Sequence, residues 1–477
     1  MEKIFSNDDY SKLQVFSYIE NSNQERISIK EIQEQFDMTY FKATKIMNSL
    51  ILDFNDINFG SYFKLEKKSN KYMFKKNGLD SINRLLWKYG RESQIFRVLD
   101  YSIKYPSKTM DDYSFDYFIS LSTAYKARKR LIVYLEERHA NIFSDNYNEE
   151  NFRYLVTQLY TSIFKFYEYP FSKKLFSSVN EVISQLENEK ITIHTEGFER
   201  LQLVFYLSIN MLRIMNSSKH KQLSHVESIL ADSGKIEQVV SKLFSKLTYN
   251  LDITLNDIRM IINYFKVSNI LNDELMEGLN NKYSLLIELG IHRFFLNSIF
   301  KEYKNTLEIP IKKLFLKSIF FKDVFFDKQF YTQLRILKES YRDIYESIIK
   351  NLEKKELVDI LGDQSKNKSF ILEFIFCIIN NIDLKKVTVT VTVTVNFSVG
   401  SEYNRYIMTI IENLPFANLQ VNDKYTEETD IYLSDIIIDN VTSAFVIWNN
   451  PPTANDWKLF GNLISKIKDD KLCKKVL

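Results

Sequence analysis

Tyr125, Lys126, Lys129 and Arg130 bring a phenol and three cations together within six residues. Groups of this kind bind rather than catalyse: cations neutralise phosphates, and hydroxyl and aromatic groups can meet base edges in a DNA groove. The five histidines offer different chemistry. His292, followed by Arg293, Phe294 and Phe295, has a ring nitrogen that is nucleophilic near neutral pH and could accept a phosphoryl group; the competing role is packing beside the two phenylalanines. His220 and His225 stand five apart, neither the three nor the four that would put them on one helix face, so a shared metal site is not expected. His139 and His194 have no evident partner in the sequence. Cys377 and Cys473 are too few for a disulfide framework or a cysteine zinc site, and they fit a reducing, cytoplasmic setting. No Ser/His/Asp or Cys/His arrangement stands out, and no catalytic residue, metal or cofactor is expected.

The cations need a helix to carry them, and residues 120–135, SLSTAYKARKRLIVYL, supply one. Ser120 or Ser122 can cap its first turn. Ala124, Ala127, Leu131 and Leu135 recur at i, i+3, i+7 and i+11, a stripe that can bury against a neighbour. The small residues in that stripe allow close packing and leave the cations on another flank. A helix lying in a major groove has this form, as does one whose charged face is simply solvated.

A similar arrangement precedes it. Residues 10–21 carry Leu13, Phe16 and Ile19 at helical spacing, and Ser28 with Glu31 forms a capping box that opens a helix containing Ile29, Ile32 and Phe36. After Asp37 and Met38, Thr39 can cap a third helix with Ala43, Ile46, Met47 and Leu50 as its buried stripe. Three short helices with tight connections predict a helix-turn-helix. Tyr40, Lys42, Thr44 and Lys45 on the third helix are candidate DNA contacts. Residues 61–76 read as two strands turning at Ser69 and Asn70, and six lysines against Glu66 leave the hairpin at +5. Such a wing would rest on phosphates through Lys67, Lys68 and Lys71; the alternative is that lysines guard an exposed hairpin edge. Residues 81–104 read as one longer helical stretch. Residues 141–154 turn at Ser144, Asp145 and Asn146 with little strand pattern, so any second wing is short.

Two helix-turn-helix units in tandem, the second ending in STAYKARKR, resemble the N-terminal half of the Mga and AtxA type of regulator from Gram-positive bacteria. In that family a Ser-Leu-Ser-Thr-Ala-Tyr run sits in the recognition helix of the main DNA-binding domain, and Ser120 to Tyr125 occupies that place here. The resemblance implies base or phosphate contacts from Ser122, Thr123, Tyr125 and Lys126, and phosphate contacts from Lys129 and Arg130. It implies a mainly α, multidomain chain: a winged helix-turn-helix domain at 1–78, a second, Mga-type one at 79–165, helical domains like those regulated by the sugar phosphotransferase system at 166–277 and 278–384, and an α/β enzyme IIB-like domain at 385–477. In the helical pair the family's phosphoacceptor histidines fall here at Glu199 or Arg200, near Tyr264, at His292 and near Cys377, so only His292 is retained.

Composition agrees with a helical, multidomain protein: 477 residues suggest three or four domains at roughly 150 each. Ten glycines and six prolines favour long helices. A formal charge of +3 means that affinity for nucleic acid must come from local clusters. The first ten residues lack a signal-peptide pattern and no run of eighteen apolar residues occurs, so no membrane association is expected. Past Lys385 the pattern changes. VTVTVTVTV, residues 387–395, is a strand with one apolar face that a partner must cover. A helix over 402–413, strands near 417–421, 430–438 and 444–448, and a helix over 456–468 complete a parallel α/β layer. This module resembles enzyme IIB, but its loop, residues 396–401, lacks the phosphoryl-carrying cysteine. Ser398 to Ser401 could form an anion-binding turn, and the resemblance implies self-association through this module.

The expected function is promoter binding to double-stranded DNA by a homodimer or higher homo-oligomer, with the phosphocarrier protein of the sugar phosphotransferase system as a further partner. The alternatives are an RNA-binding antiterminator, whose small β-rich head does not match residues 1–140, and a phosphotransferase component, which the missing loop cysteine opposes.

Overall fold

The structure is a computed structural model that describes residues 2–21, 26–56, 63–68, 71–76, 81–144, 147–216, 226–231, 233–247, 253–272, 278–296, 298–321, 338, 341–414, 418–438 and 441–476. The chain is mainly helical, with a small parallel sheet near its C-terminus. It divides into two compact units, residues 1–285 with 316–330, and residues 286–315 with 331–477.

The first unit opens with α1 (Asn7–Asn21), β1 (Arg26–Ser28), α2 (Ile29–Phe36), α3 (Tyr40–Asp56), β2 (Phe63–Lys68), β3 (Lys71–Lys76) and α4 (Ser81–Glu92). Leu13, Phe16 and Ile19 of α1, Ile32 of α2, the expected stripe of α3, Phe74 of β3 and Leu85, Leu86 and Tyr89 of α4 form one buried cluster. The hairpin is not two strands alone. β1 pairs antiparallel with β3, Ile27 facing Tyr72, so the sheet order is β1-β3-β2. Three residues with a single apolar side chain carry no readable period, and their partner lies more than forty residues away. The turn at Ser69 and Asn70 lies outside the described residues.

The helical stretch expected over 81–104 is two helices, with the break at Ser93. α5 (Gln94–Lys104) starts there because Ser93 Oγ accepts from Phe96 N at 3.2 Å while donating to the carbonyl of Ile4 at 2.5 Å. A hydroxyl that caps a new helix without interrupting the apolar spacing hides the break. α6 (Met110–Asp116), α7 (Leu121–Glu136) and α8 (Glu149–Phe164) follow. Among the described residues no strand lies between α7 and α8, so the expected short second wing is not found there; Asp145 and Asn146 lie outside them.

α8 is enclosed on nearly all sides, packing on α4 and, further on, α10 (Gly197–Met215), which in turn contacts α9 (Lys173–Asn188), while α11 (Gly234–Leu247) and α12 (Leu255–Val267) complete the array. The α4–α8 contact depends on Gly90, where an added Cβ would stand 2.4 Å from Ile163 Cγ2. Gly90→Ala is therefore expected to cost about 1–3 kcal/mol through overpacking, despite alanine's better helix propensity, and thermal melts should show Ile163→Ala in the same chain recovering part of the loss.

In the second unit, Phe294 of α13 (Asn281–Phe295) and Phe315 of α14 (Lys304–Phe320) pack on Phe374 of the helix Lys368–Asn381 with ring centroids 5.0 and 6.0 Å away. The C-terminal sheet has β4 (Thr390–Val395), β5 (Asn418–Asn422), β6 (Ile431–Ser434) and β7 (Ala444–Ile447) in the parallel order β5-β4-β6-β7, with helices Ser401–Glu412 and Ala454–Val476. The first strand begins at Thr390, not at 387, because Leu384–Val387 forms a helical turn to which Thr388 N and Oγ1 bond back at the Leu384 carbonyl. β4 is also buried on both faces, since a central strand of a parallel sheet is covered twice; Thr394 Oγ1 meets Thr429 Oγ1 at 2.8 Å.

Candidate nucleic-acid interface

α6 and α7 are set by two hydroxyl caps. Thr109 and Asp112 form a capping box on α6, the carboxylate accepting from Thr109 N at 2.7 Å, and bonds from the Thr109 backbone and hydroxyl hold its pKa low. Phe118 then adopts a left-handed conformation, φ 54°, which turns the chain. Ser120, rather than Ser122, caps α7: its Oγ accepts from Thr123 N at 3.1 Å and lies 2.8 Å from Thr123 Oγ1. Ala124, Ala127, Leu131 and Leu135 are buried as the spacing predicted, joined by Tyr134, and α7 packs on α5 and α6.

The opposite flank of α7 is open. Ser122, Thr123, Tyr125, Lys126, Lys129 and Arg130 are exposed. Lys126 and Lys129 make no ion pair among the described residues, so their charge is available. Arg130 is partly committed, since its Nη2 donates to the Phe5 carbonyl at 3.2 Å. Arg128 turns away, with its guanidinium 4.7 Å from the Phe143 ring. Lys108, by contrast, is spent on Asp116 at 2.7 Å.

The α2–α3 pair repeats this construction. Ser28 and Glu31 form the capping box, with Ser28 N donating to Glu31 Oε2 at 2.6 Å, and the Ser28 hydroxyl and backbone together keep that carboxyl below its ordinary range. Asp37 is left-handed, φ 48°, and Thr39 caps α3 by accepting from Lys42 N at 3.3 Å. Thr39 follows Ser28 by eleven positions and Ser120 follows Thr109 by eleven, with the left-handed residue two before the second cap in both. On α3, Tyr40, Lys42 and Lys45 are exposed, Lys45 lying 3.3 Å from Asp8. Thr44 differs from them: it is half-buried beside the Ala43–Met47 stripe, and its Oγ1 is covered. Lys67, Lys68 and Lys71 are exposed on the hairpin. Its register sets Lys68 opposite Lys71, a like-charge pairing that costs stability unless an anion lies nearby.

The other sequence candidates do not converge on a site. His292 is exposed on α13, so it is not the packing residue that the two following phenylalanines suggested. Glu199 is exposed, Arg200 pairs with Glu187 at 2.7 Å, Tyr264 is stacked on Tyr206, and burial pushes the Cys377 thiol up to about 12. His194 lies between Glu187 and Glu196. His220, His225 and the side chain of Cys473 lie outside the described residues. The turn after β4 is already filled: Ser398 N and Oγ donate to Asp435 at 2.8 and 2.5 Å, and Asn450 Nδ2 to the same carboxylate at 2.7 Å. The Ser398 donors expected to help hold an anion thus hold a side chain of the protein itself.

Behind the interface lies an ionic cluster that sequence reading missed. Arg153 donates to Glu149, Asn210 and Asp257 at 2.8, 2.7 and 2.6 Å, and Arg213 to Glu149 at 2.7 Å, all four charged groups being buried. In sequence, Glu149 and Arg153 look like an ordinary i,i+4 surface pair. The cluster ties the start of α8 to α10 and α12. Beside it Glu150 accepts from Asn263 Nδ2 at 2.9 Å, and burial raises its pKa to about 7. A carboxyl whose folded pKa is raised supports the fold below its unfolded pKa and loses that support as pH rises through 7. Glu150→Gln keeps the acceptor and removes the ionisation, so its melting temperature should exceed the parent's at pH 8 by a margin that shrinks at pH 5.

Residues 79–160, which contain α4 to α7 and most of α8, match the family model of the Mga helix-turn-helix domain. A search of curated proteins found no match to the chain.

Proposed function

We propose that the chain is a cytoplasmic transcriptional regulator of the Mga type that holds promoter duplex DNA through two helix-turn-helix units, α2–α3 with its hairpin wing and α6–α7. The match of residues 79–160 supports DNA binding by the second unit, and the observation that carries the assignment of its surface is the exposure of Lys126 and Lys129 on α7, with no ion pair among the described residues. The repeated cap, left-handed turn and cap support a matching role for the first. Helical domains regulated by the sugar phosphotransferase system at 166–277 and 278–384, and self-association through an enzyme IIB-like domain at 385–477, complete the reading, with the exposed His292 as phosphoacceptor. A salt titration of duplex binding tests it: affinity should fall linearly in log–log form with added salt, and duplex DNA should compete far better than hairpin RNA. Preferential capture by hairpin RNA would replace this reading with the antiterminator. Label transfer from the phosphorylated phosphocarrier protein to the parent chain, lost in His292→Ala, is expected for the regulatory step.

A further inference from the structure

The surface around the front of α7 is crowded with exposed apolar groups. Phe115, Phe118, Leu121 and Tyr125 are 79, 92, 40 and 47% exposed within eleven residues. Phe118 is the least expected of them. It holds a left-handed backbone, which Asp37 at the matching place in the first pair tolerates and a phenylalanine does not favour, and its ring contributes nothing to the core. The first pair repeats the theme with Tyr40 and Phe41, 64 and 79% exposed at the start of α3. Neither helix has an arginine in its first two turns, so the guanidinium fork that grips guanine is missing where base edges would be met.

Resting on the DNA-binding reading above, we infer that Phe118, Leu121 and Tyr125 form an apolar reading head for thymine C5-methyl groups in the major groove, with Phe41 as its counterpart on α3. In that groove the methyl is the apolar feature a base pair presents, and Phe is among the side chains that meet it. Charge complementarity favours DNA over a protein partner: Lys126 and Lys129 flank the apolar patch with free positive charge, and the exposed Ser122 hydroxyl can bond a neighbouring base.

The test uses the full chain and the tightest-bound duplex selected from a random 40-base-pair pool, synthesised with thymidine or with deoxyuridine, which lacks only the methyl. At fixed salt, fluorescence anisotropy should show the parent binding the uridine duplex about tenfold more weakly, the effect of leaving two methyl groups unburied. Phe118→Ala with Leu121→Ala should lose most of that discrimination, binding the thymidine duplex close to the parent's uridine affinity. Phe118→Leu should restore discrimination, and Lys126→Ala with Lys129→Ala should weaken both duplexes while preserving their ratio. Equal parental affinity for the two duplexes, undiminished discrimination in the double alanine variant, failure of the pool to enrich, or a change in sedimentation in place of a change in discrimination would overturn the inference and leave DNA binding standing. Absence of binding to any duplex would overturn the regulator reading itself. Because the replaced side chains are exposed, matching circular-dichroism melts are expected for every variant.

Discussion

Replacing Lys126 and Lys129 together with alanine is expected to lower duplex affinity about tenfold or more at moderate salt without changing the melting temperature. Both side chains stand on the exposed flank of α7 with no acidic partner among the described residues, so folding gains little from them. Each phosphate contact releases about 0.9 of a counterion, and losing two should reduce the slope of log affinity against log salt by roughly 2. Lys108→Ala is the matched control. Its ammonium already serves Asp116, so its removal should leave the salt slope unchanged. An unchanged slope in the double variant would remove α7 as the phosphate-contacting element.

Glu149→Gln should be the most damaging single change away from the interface, costing about 3–5 kcal/mol at neutral pH because two buried guanidinium groups lose the carboxylate that both share. Burial opposes the charge on Glu149, but Arg213 and Arg153 outweigh it and hold the carboxyl well below its ordinary range. A depressed carboxyl supports the fold above its unfolded pKa and loses that support as pH falls toward the folded one. The parent should therefore lose stability on acidification below about pH 4.5, and the glutamine variant, already weakened, should lose less. Urea denaturation at pH 7 and pH 3.5 measures both. The contrast with Glu150 is instructive: adjacent residues of one type have opposite pH signatures because burial is outweighed by two arginines at Glu149, whereas at Glu150 it outweighs the Asn263 bond and the attraction of Arg153.

What could be read in advance was local. The caps at Ser28, Thr39 and Ser120 and the stripes of α3 and α7 follow from hydroxyl placement and a 3.6-residue period, both confined to a dozen residues. The eleven-residue repeat was equally available, had residues 28–39 been laid over 109–120. What was not legible depends on distant partners. β1 exists because β3 pairs with it, Thr44 is withdrawn by its neighbours, and Glu149 with Arg153 becomes a buried cluster only when α10 and α12 close over it. Tyr40 and Tyr125 were legible as candidate contacts, whereas the exposure of Phe41, Phe115 and Phe118 was not, because whether an apolar side chain off the buried stripe is covered depends on its distant neighbours.

α4 has a further consequence. One face of it, through Leu85, Leu86 and Tyr89, belongs to the first core, and Gly90 presses against Ile163 of the helix that follows the second pair. The two helix pairs, α2–α3 and α6–α7, thus share a common strut instead of being strung on a slack tether. On the proposed function, a promoter spanning both would have to offer its grooves in the phase this strut dictates, and inserting half a helical turn between the contacted stretches would carry one of them round to the far side, to be recovered only by twisting or bending the duplex.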